Sequence, residues 1–294
     1  MDEVSSEQNG AYAGRDRLSD LSDCLLHTIL SRLKARQVVQ TCLLSRRWRH
    51  LWLDAPYLDI DSHDFPISYA NWSWRCPKFE RMQEAQYRKF HDFVDNLLLQ
   101  HSTRPLHTLR LRIDKDYHKD DSCMPMWIRR GLDCAPAVLV IHHGASITLP
   151  PSEPGTRHLK KLCLDQVSLR FDLGQQITTG LPVLEDLSFR NSDLSNLSRI
   201  MSGTLKILTI DCCRKTGTTL AISAPRLTSL HFTILFYNHA SFILAEKAPY
   251  LVEASICLNE LRRKESVYLD VLCWRVAPRR LWGRDVWGRV AWGW

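Results

Sequence analysis

The chain has 294 residues, 45% hydrophobic and 24% charged, which are the proportions of a soluble globular protein with material for one or two domains. No apolar run reaches the roughly 18 residues of a membrane span, and the polar, acidic start MDEVSSEQNGAYAGRD lacks the apolar core of a signal peptide; neither a leader nor a membrane partner is expected. The net charge of +7 is unevenly placed, because residues 262 to 294 hold eight basic and three acidic side chains and leave only +2 for the rest. Basicity confined to a tail argues against a nucleic-acid-binding face.

Ten cysteines run from Cys24 to Cys273 without any C-x-x-C pair, and the adjacent Cys212 and Cys213 are badly placed to share an ion or a relaxed disulfide. Reduced, mostly buried thiols follow, as in a protein of the cytoplasm or nucleus.

Residues 1 to 14 show no periodicity and are expected to be disordered. From Leu18 to Trp52 the apolar residues recur at helical spacing. Leu21, Leu25, Ile29 and Leu33 form one stripe, and Leu26, Leu30 and Leu33 a second. Together they span about 180° of a helix, where a stripe of roughly 100° suffices to dock on one core. Val38, Val39, Cys42 and Leu43 follow at helical spacing, then Trp48, Leu51 and Trp52. So much apolar surface in so short a unit predicts a partner.

The segment resembles an F-box of the plant F-box/leucine-rich-repeat type, notably in Val39-Gln40-Thr41-Cys42, in Leu44-Ser45-Arg46-Arg47-Trp48-Arg49 and in Leu51-Trp52. The resemblance implies a three-helix module over residues 15 to 61 that binds the Skp adaptor, and through it a cullin, in a ubiquitin ligase. The adaptor-binding set it suggests is Leu18, Leu21, Ser22, Leu25, Leu26, Ile29, Leu33, Val39, Leu44 and Trp48. Such F-boxes usually open Leu-Pro; here Ser22 follows Leu21, and its hydroxyl is expected to cap the first helix instead.

Tyr57 to Asp61 reads as a short strand, and a linker with a helix fills residues 62 to 105. In that helix Phe90, Phe93, Val94, Leu97 and Leu98 recur at helical spacing, from about Gln83 to His101. Residues 106 to 261 carry an internal repeat. It begins with Leu106-x-x-Leu109-x-Leu111-x-Ile113, then a looser Ala137 to Ile141, then Leu159-x-x-Leu162-x-Leu164 with Val167 and Leu169. It continues through Leu184, Leu187 and Phe189; Leu205, Leu208 and Ile210; Leu227, Leu230 and Phe232; and Leu251, Ala254 and Ile256. Positions 162, 187, 208, 230 and 254 are separated by 25, 21, 22 and 24 residues, within the 20 to 29 of leucine-rich repeats.

An x-L-x-L strand sends alternate residues into a core, and no unit can bury its leucines without stacking on the next. The predicted fold is therefore an α+β, α/β-repeat arrangement, with a three-helix F-box followed by a curved leucine-rich-repeat solenoid. Its concave face is expected to display Lys161, Cys163, Asp165, Asp186, Ser188, Arg190, Ile207, Thr209, Asp211, Ser229, His231 and Thr233. Of these, Asp165, Asp186, Arg190, Thr209, Asp211 and His231 are the candidates for holding a target protein. Trp127-Ile128, Leu149-Pro150, Leu181-Pro182-Val183-Leu184-Glu185-Asp186-Leu187, Ala224-Pro225-Arg226-Leu227 and Ala248-Pro249-Tyr250-Leu251 extend the resemblance to the repeats of the same family.

Residues 262 to 294 break the pattern, with Trp282, Trp287, Trp292 and Trp294 set among Gly and Arg and no strand or helix period. The carboxy-terminal FBD module that related proteins often carry is not recognisable there. A truncated or alternatively read end is expected, leaving the solenoid without a polar cap.

No phosphate loop, nucleophile elbow or H-E-x-x-H sequence is present, and no catalytic residue, metal site or cofactor is expected. His142 and His143 read as surface histidines, and Asp114, Asp116, Asp120 and Asp121 as a solvated loop without the Gly and closing Glu of a calcium loop. Arg46-Arg47-Trp48-Arg49 reads as one face of an amphipathic helix. The expected function is that of a non-catalytic substrate-recognition subunit of a Skp-cullin-F-box ligase. The alternatives are a repeat-based scaffold, a truncated non-functional product, or a repeat protein that binds a small ligand with its target.

Overall fold

The structure is a computed structural model that describes residues 18, 20–66, 77–101, 105–114, 123–149, 154–169, 173–216, 220–235, 242–244, 249–259 and 273–276. It opens with helices α1 (Asp23–Leu30), α2 (Ala35–Gln40) and α3 (Trp48–Leu51), with single 3-10 turns at Thr41–Leu43 and Trp52–Asp54. Leu26, Leu30, Val38, Trp48, Leu51 and Ala55 form a small core among them, with Leu21 and Leu33 packed on its side. Ser22 stands at the N-cap of α1 with extended backbone, but its hydroxyl makes no capping bond. That expectation fails because the first turn is served otherwise. Asp23 places a carboxylate at the positive end of the helix, and Arg47 of the turn before α3 holds it at 2.5 Å.

The strand expected at Tyr57 to Asp61 forms at those residues as β1 (Tyr57–Asp61), and it belongs to the solenoid rather than to the helical module. It pairs in parallel with β2 (Thr108–Ile113), Leu58 opposite Leu109 and Ile60 opposite Leu111. Between them runs α4 (Pro77–Gln100), which starts six residues before the apolar period does. Proline suits a first helical position, and the mostly polar stretch from Lys78 to Gln86 leaves little periodic mark. Phe90 of α4 is buried edge-on against Phe65 at 5.5 Å and Trp127 at 5.7 Å.

The sheet then builds through β3 (Val138–His143), β5 (Lys161–Asp165), β7 (Asp186–Arg190), β9 (Ile207–Cys213), β11 (Ser229–Leu235) and β13 (Glu253–Asn259), all parallel. Leu58, Leu109, Leu139, Leu162, Leu187, Leu208 and Leu230 stand in register as one buried column. Each such leucine contributes roughly 2 kcal/mol of burial that a single repeat would forgo. The looser repeat at Ala137 to Ile141 is a full rung, since Leu139 and Ile141 are as buried as their neighbours; its irregular spacing reflects α5 (Met124–Asp133), inserted before it.

Behind the sheet lie short return strands β4 (Ser146–Ile147) paired with β6 (Ser168–Leu169), and β8 (Arg199–Met201), β10 (Leu220–Ser223) and β12 (Phe242–Leu244) in a second small sheet. Helix α6 (Leu173–Gly180) lies on β8, with Gly174 so close to the Arg199 carbonyl that a Cβ there would sit 2.6 Å from it. Directly after the in-register residues Asp165, Arg190 and Asp211, three repeats pass through a left-handed residue: Gln166 (φ 56°), Asn191 (φ 47°) and Cys212 (φ 50°). The first two are tied to the next repeat, Gln166 N–H to Arg190 O and Asn191 N–H to Asp211 O, both at 2.9 Å. Beyond these turns Val167, Ser192 and Cys213 enter the core, and Ser192 Oγ accepts from the Val167 N–H at 3.2 Å.

Cys212 is the extra residue of a bulge between β9 and β11, which is why its neighbour Cys213 turns inward. Burial pushes the Cys213 thiol up to about 12, so it is a packing group. The expectation of mostly buried thiols holds only in part: Cys134, Cys163 and Cys213 are buried, Cys42, Cys123 and Cys212 partly so, and Cys24 is exposed.

The tail is not uniformly irregular, because β14 (Cys273–Val276) pairs antiparallel with β13 and covers its open edge. Four residues are too few to show a period in sequence, and an unpaired sheet edge is enough to recruit them. The tryptophan-rich remainder, the proposed truncation and residues 1 to 14 lie outside the described residues.

Candidate functional site

Two surfaces carry the candidate residues. On the helical module, α1 divides by angle. Leu26 and Leu30 fill the core, while Leu25 and Ile29 point to solvent, Leu25 with 52% of its surface accessible. Leu18 before the helix and Leu44 after α2 are also exposed. Leu43, absent from the expected set, is the most open of all at 85%. The chain tightens into a 3-10 turn at Thr41–Leu43, which breaks the helical spacing that Leu43 shares with Val39 and turns it to solvent.

Three members of the expected adaptor set face elsewhere. Leu26 and Trp48 are buried within the module's own core, and half-buried Val39 packs on the solenoid core. A helical stripe does not say which of two partners it meets, and here the module's interior and the solenoid claim these three. Leu21 and Leu33 are half-buried at the rim of the module's core, and Ser22 is exposed.

The second surface is the sheet face opposite the core, where register sets the side chains in rows. One row runs Asp61, Arg112, His142, Asp165, Arg190, Asp211. Two residues back along each strand lie Asp59, Arg110, Val140, Cys163, Ser188, Thr209 and His231, and two further back Lys161, Asp186, Ile207 and Ser229. The expected target-binding residues Asp165, Asp186, Arg190, Thr209, Asp211 and His231 therefore share one face on four neighbouring strands.

Many of the charges neutralise one another. Arg110 meets Asp59 at 3.0 Å and Arg112 meets Asp61 at 2.9 Å. Lys161 meets Asp186 at 2.6 Å, and Asp165 accepts from Asn191 at 3.0 Å and contacts His142 at 3.1 Å. Cys163 and Ser188, expected on this face, do lie on it but are buried, because they are short and charged neighbours overhang them. Burial raises the Cys163 thiol above its ordinary range, with Arg190 and Lys161 opposing. Arg190 stands exposed between Asp165 and Asp211 in register.

His142 lies on this face, but His143 does not, and the expectation that both are surface histidines is corrected. Strand alternation turns His143 inward, opposite Ile113, and it is fully buried. Of the acidic cluster, Asp114 meets His63 at 3.2 Å; Asp116, Asp120 and Asp121 lie outside the described residues. Among the described residues no three His, Cys, Asp or Glu side chains are grouped to hold a metal, and no helix is long and apolar enough to cross a membrane.

Sequence reasoning also missed Lys215. It occupies the place that Leu169 and Leu194 hold in the two preceding repeats, is 1% exposed, and donates from Nζ to the Ser195 carbonyl at 3.1 Å. Burial lowers its pKa despite the nearby Asp193. The pattern L-x-x-L-x-L-x-x-N-x-L, carried one position further, would have drawn notice to a lysine at a leucine site.

A short helical module followed by stacked strand-turn repeats is the architecture of an F-box joined to a leucine-rich-repeat solenoid, and the F-box domain family matches residues 18–58. The MEIOTIC F-BOX protein MOF of Oryza sativa subsp. japonica is 33% identical over 258 residues, which is 83% of this chain and 51% of that protein. A putative F-box/FBD/LRR-repeat protein of Arabidopsis thaliana is 30% identical over 203 residues, 66% of this chain and 46% of its own length. A putative F-box/LRR-repeat protein of the same plant is 30% identical over 271 residues, 82% and 57%. The chain spans about half the length of these relatives. No solved structure matches it. The chain belongs with the plant F-box/LRR-repeat proteins.

Proposed function

We propose that this F-box protein is the substrate-recognition subunit of a Skp-cullin-F-box ubiquitin ligase, acting in the cytoplasm or nucleus. The observation that carries the reading is the exposure of Leu18, Leu25, Ile29, Leu43 and Leu44 on a module whose own core is already filled by Leu26, Leu30, Val38 and Trp48. Large apolar side chains left in water by so small a unit mark a protein interface. The adaptor covers them, and the open sheet face, with Asp165, Asp186, Arg190, Thr209, Asp211 and His231, holds the target. The chain supplies no chemistry of its own; it raises the rate of transfer by holding target lysines near a conjugating enzyme carried by other subunits.

The test is co-purification of the full chain with a plant Skp adaptor, beside a Leu25→Asp, Ile29→Asp variant. Retention of the adaptor by the parent and its loss from the folded variant support the reading. Equal recovery, or none in either, removes it.

A further inference from the structure

Among the described residues, an apolar seat, a buried hydrogen bond between His101 and the Ala55 carbonyl at 3.0 Å, and a charge cluster join the F-box to the solenoid. In the apolar seat Ala35 lies in the solenoid core, and Val39 and Trp52 pack against that core. Apolar burial is non-directional, so it holds two bodies together without setting the angle between them.

The charge cluster surrounds one carboxylate. Asp61 closes β1 and is 3% exposed. Its Oδ2 receives Lys34 Nζ at 2.7 Å and Arg112 Nη1 at 2.9 Å. Its Oδ1 receives the backbone N–H of His63 and contacts the His63 ring, each at 2.9 Å. Lys34 is the N-cap of α2 and also lies 3.3 Å from Asp64. Arg36, one residue into that helix, donates to the Asp64 carbonyl and lies 4.6 Å over the Phe65 ring.

One side chain of the solenoid is thus gripped by the F-box, by the neighbouring strand and by the turn that follows. Cys24, His27 and Thr28 of α1 line an open cleft of about 680 Å³ together with Pro56 and Tyr57. Charge-assisted hydrogen bonds are short and directional, and a buried carboxylate with several donors has few alternative arrangements.

We infer that Asp61 is a positioning residue: by holding Lys34 of the F-box and Arg112 of the sheet on one carboxylate, it sets the angle at which the F-box is carried on the solenoid. The angle is a property of the chain alone and stands apart from the ligase reading. Its consequence, where a target on the open face lies relative to a bound adaptor, rests on that reading.

The test is single-molecule energy transfer on the full chain, with dyes on azido amino acids at the exposed positions Arg32 in the F-box and Arg226 in a late repeat. The parent gives one narrow distance population. Asp61→Asn at least doubles its width or adds a second population. Asp59→Asn, which breaks the Asp59–Arg110 pair inside the sheet, leaves the width unchanged. Circular dichroism confirms that each variant is folded. If Asp61→Asn does not fold, Lys34→Met replaces it, because that change takes the F-box ammonium away from Asp61 and Asp64 and leaves Arg112 and His63 on the Asp61 carboxylate; the same broadening is expected.

A folded variant as narrow as the parent means that the remaining contacts set the angle without Asp61 and overturns the inference. So does equal broadening by Asp59→Asn, which would show general loosening. Failure to bind the adaptor would sink the ligase reading and leave these distances untouched.

Discussion

The ammonium of Lys34 lies 2.7 Å from the Asp61 carboxylate, although the two belong to different modules and are 27 residues apart. Burial opposes the charged form of Asp61, but the donors from Lys34, His63 and Arg112 outweigh it and hold the carboxyl well below the usual carboxylate range. A carboxyl with a depressed folded pKa stabilises the fold above its unfolded value of about 3.9 and loses that contribution as pH falls below it. Urea unfolding of the parent should therefore be level from about pH 7 to 5 and weaken steeply below about pH 4. Asp61→Asn should start about 2 kcal/mol lower at neutral pH and fall less steeply in acid. Parallel acid limbs in the two proteins would contradict this.

Lys215 reports on the opposite sign. Its folded pKa is lowered, so the unfolded chain binds the extra proton, and stability should rise with pH on the alkaline side up to about 10.4. Replacing a buried ammonium by an apolar side chain of similar volume is neutral or stabilising, so Lys215→Met should gain about 1 kcal/mol at pH 7 and lose the alkaline rise. Thermal unfolding at pH 7 and 9.5 checks both parts; a destabilised variant would mean that the bond to the Ser195 carbonyl outweighs desolvation.

Leucines of the same F-box should behave as different kinds of residue. Leu26→Ala opens a cavity in the F-box core and should cost about 3 kcal/mol. Leu43→Asp, on a side chain 85% exposed, should change stability by less than about 0.5 kcal/mol yet abolish adaptor co-purification. Melting curves read beside the pull-down separate the two effects.

Ser192 is the shared acceptor between two repeats. Its hydroxyl oxygen takes the Val167 N–H at 3.2 Å, and its proton is directed to Arg190 O at 2.6 Å. Ser192→Ala leaves a buried N–H without that acceptor and should cost about 1 to 2 kcal/mol, whereas Ser195→Ala, near the surface, should cost less. Amide exchange at Val167 is the direct readout: protection should fall there first.

Much of the architecture was legible because leucines at period two, repeated every 21 to 25 residues, can be buried only by stacking. The strand over Tyr57 to Asp61 and the run of repeats from Leu106 to Ile256 formed where the pattern put them, and alternation within each strand put Asp165, Arg190 and Asp211 on one face. Alternation alone gave His143 no special mark, and its inward place became evident only from the register. The start of α4 was missed because the stretch from Lys78 to Gln86 is mostly polar, and the exposure of Leu43 because a 3-10 turn breaks the 3.6-residue period there.

For this protein, hydrophobic period and motif by themselves determined the kind of fold, its repeat and the presence of an F-box, since these depend on local spacing that any stacked copy must satisfy. Tertiary structure alone decided which leucines of α1 face water, that Val39 serves the solenoid, that Lys215 lies inside, and that Asp61 joins the two modules. Each of those depends on which distant surface arrives first at a given side chain, and a one-dimensional pattern holds no distance between residues 34 and 61 or 61 and 112.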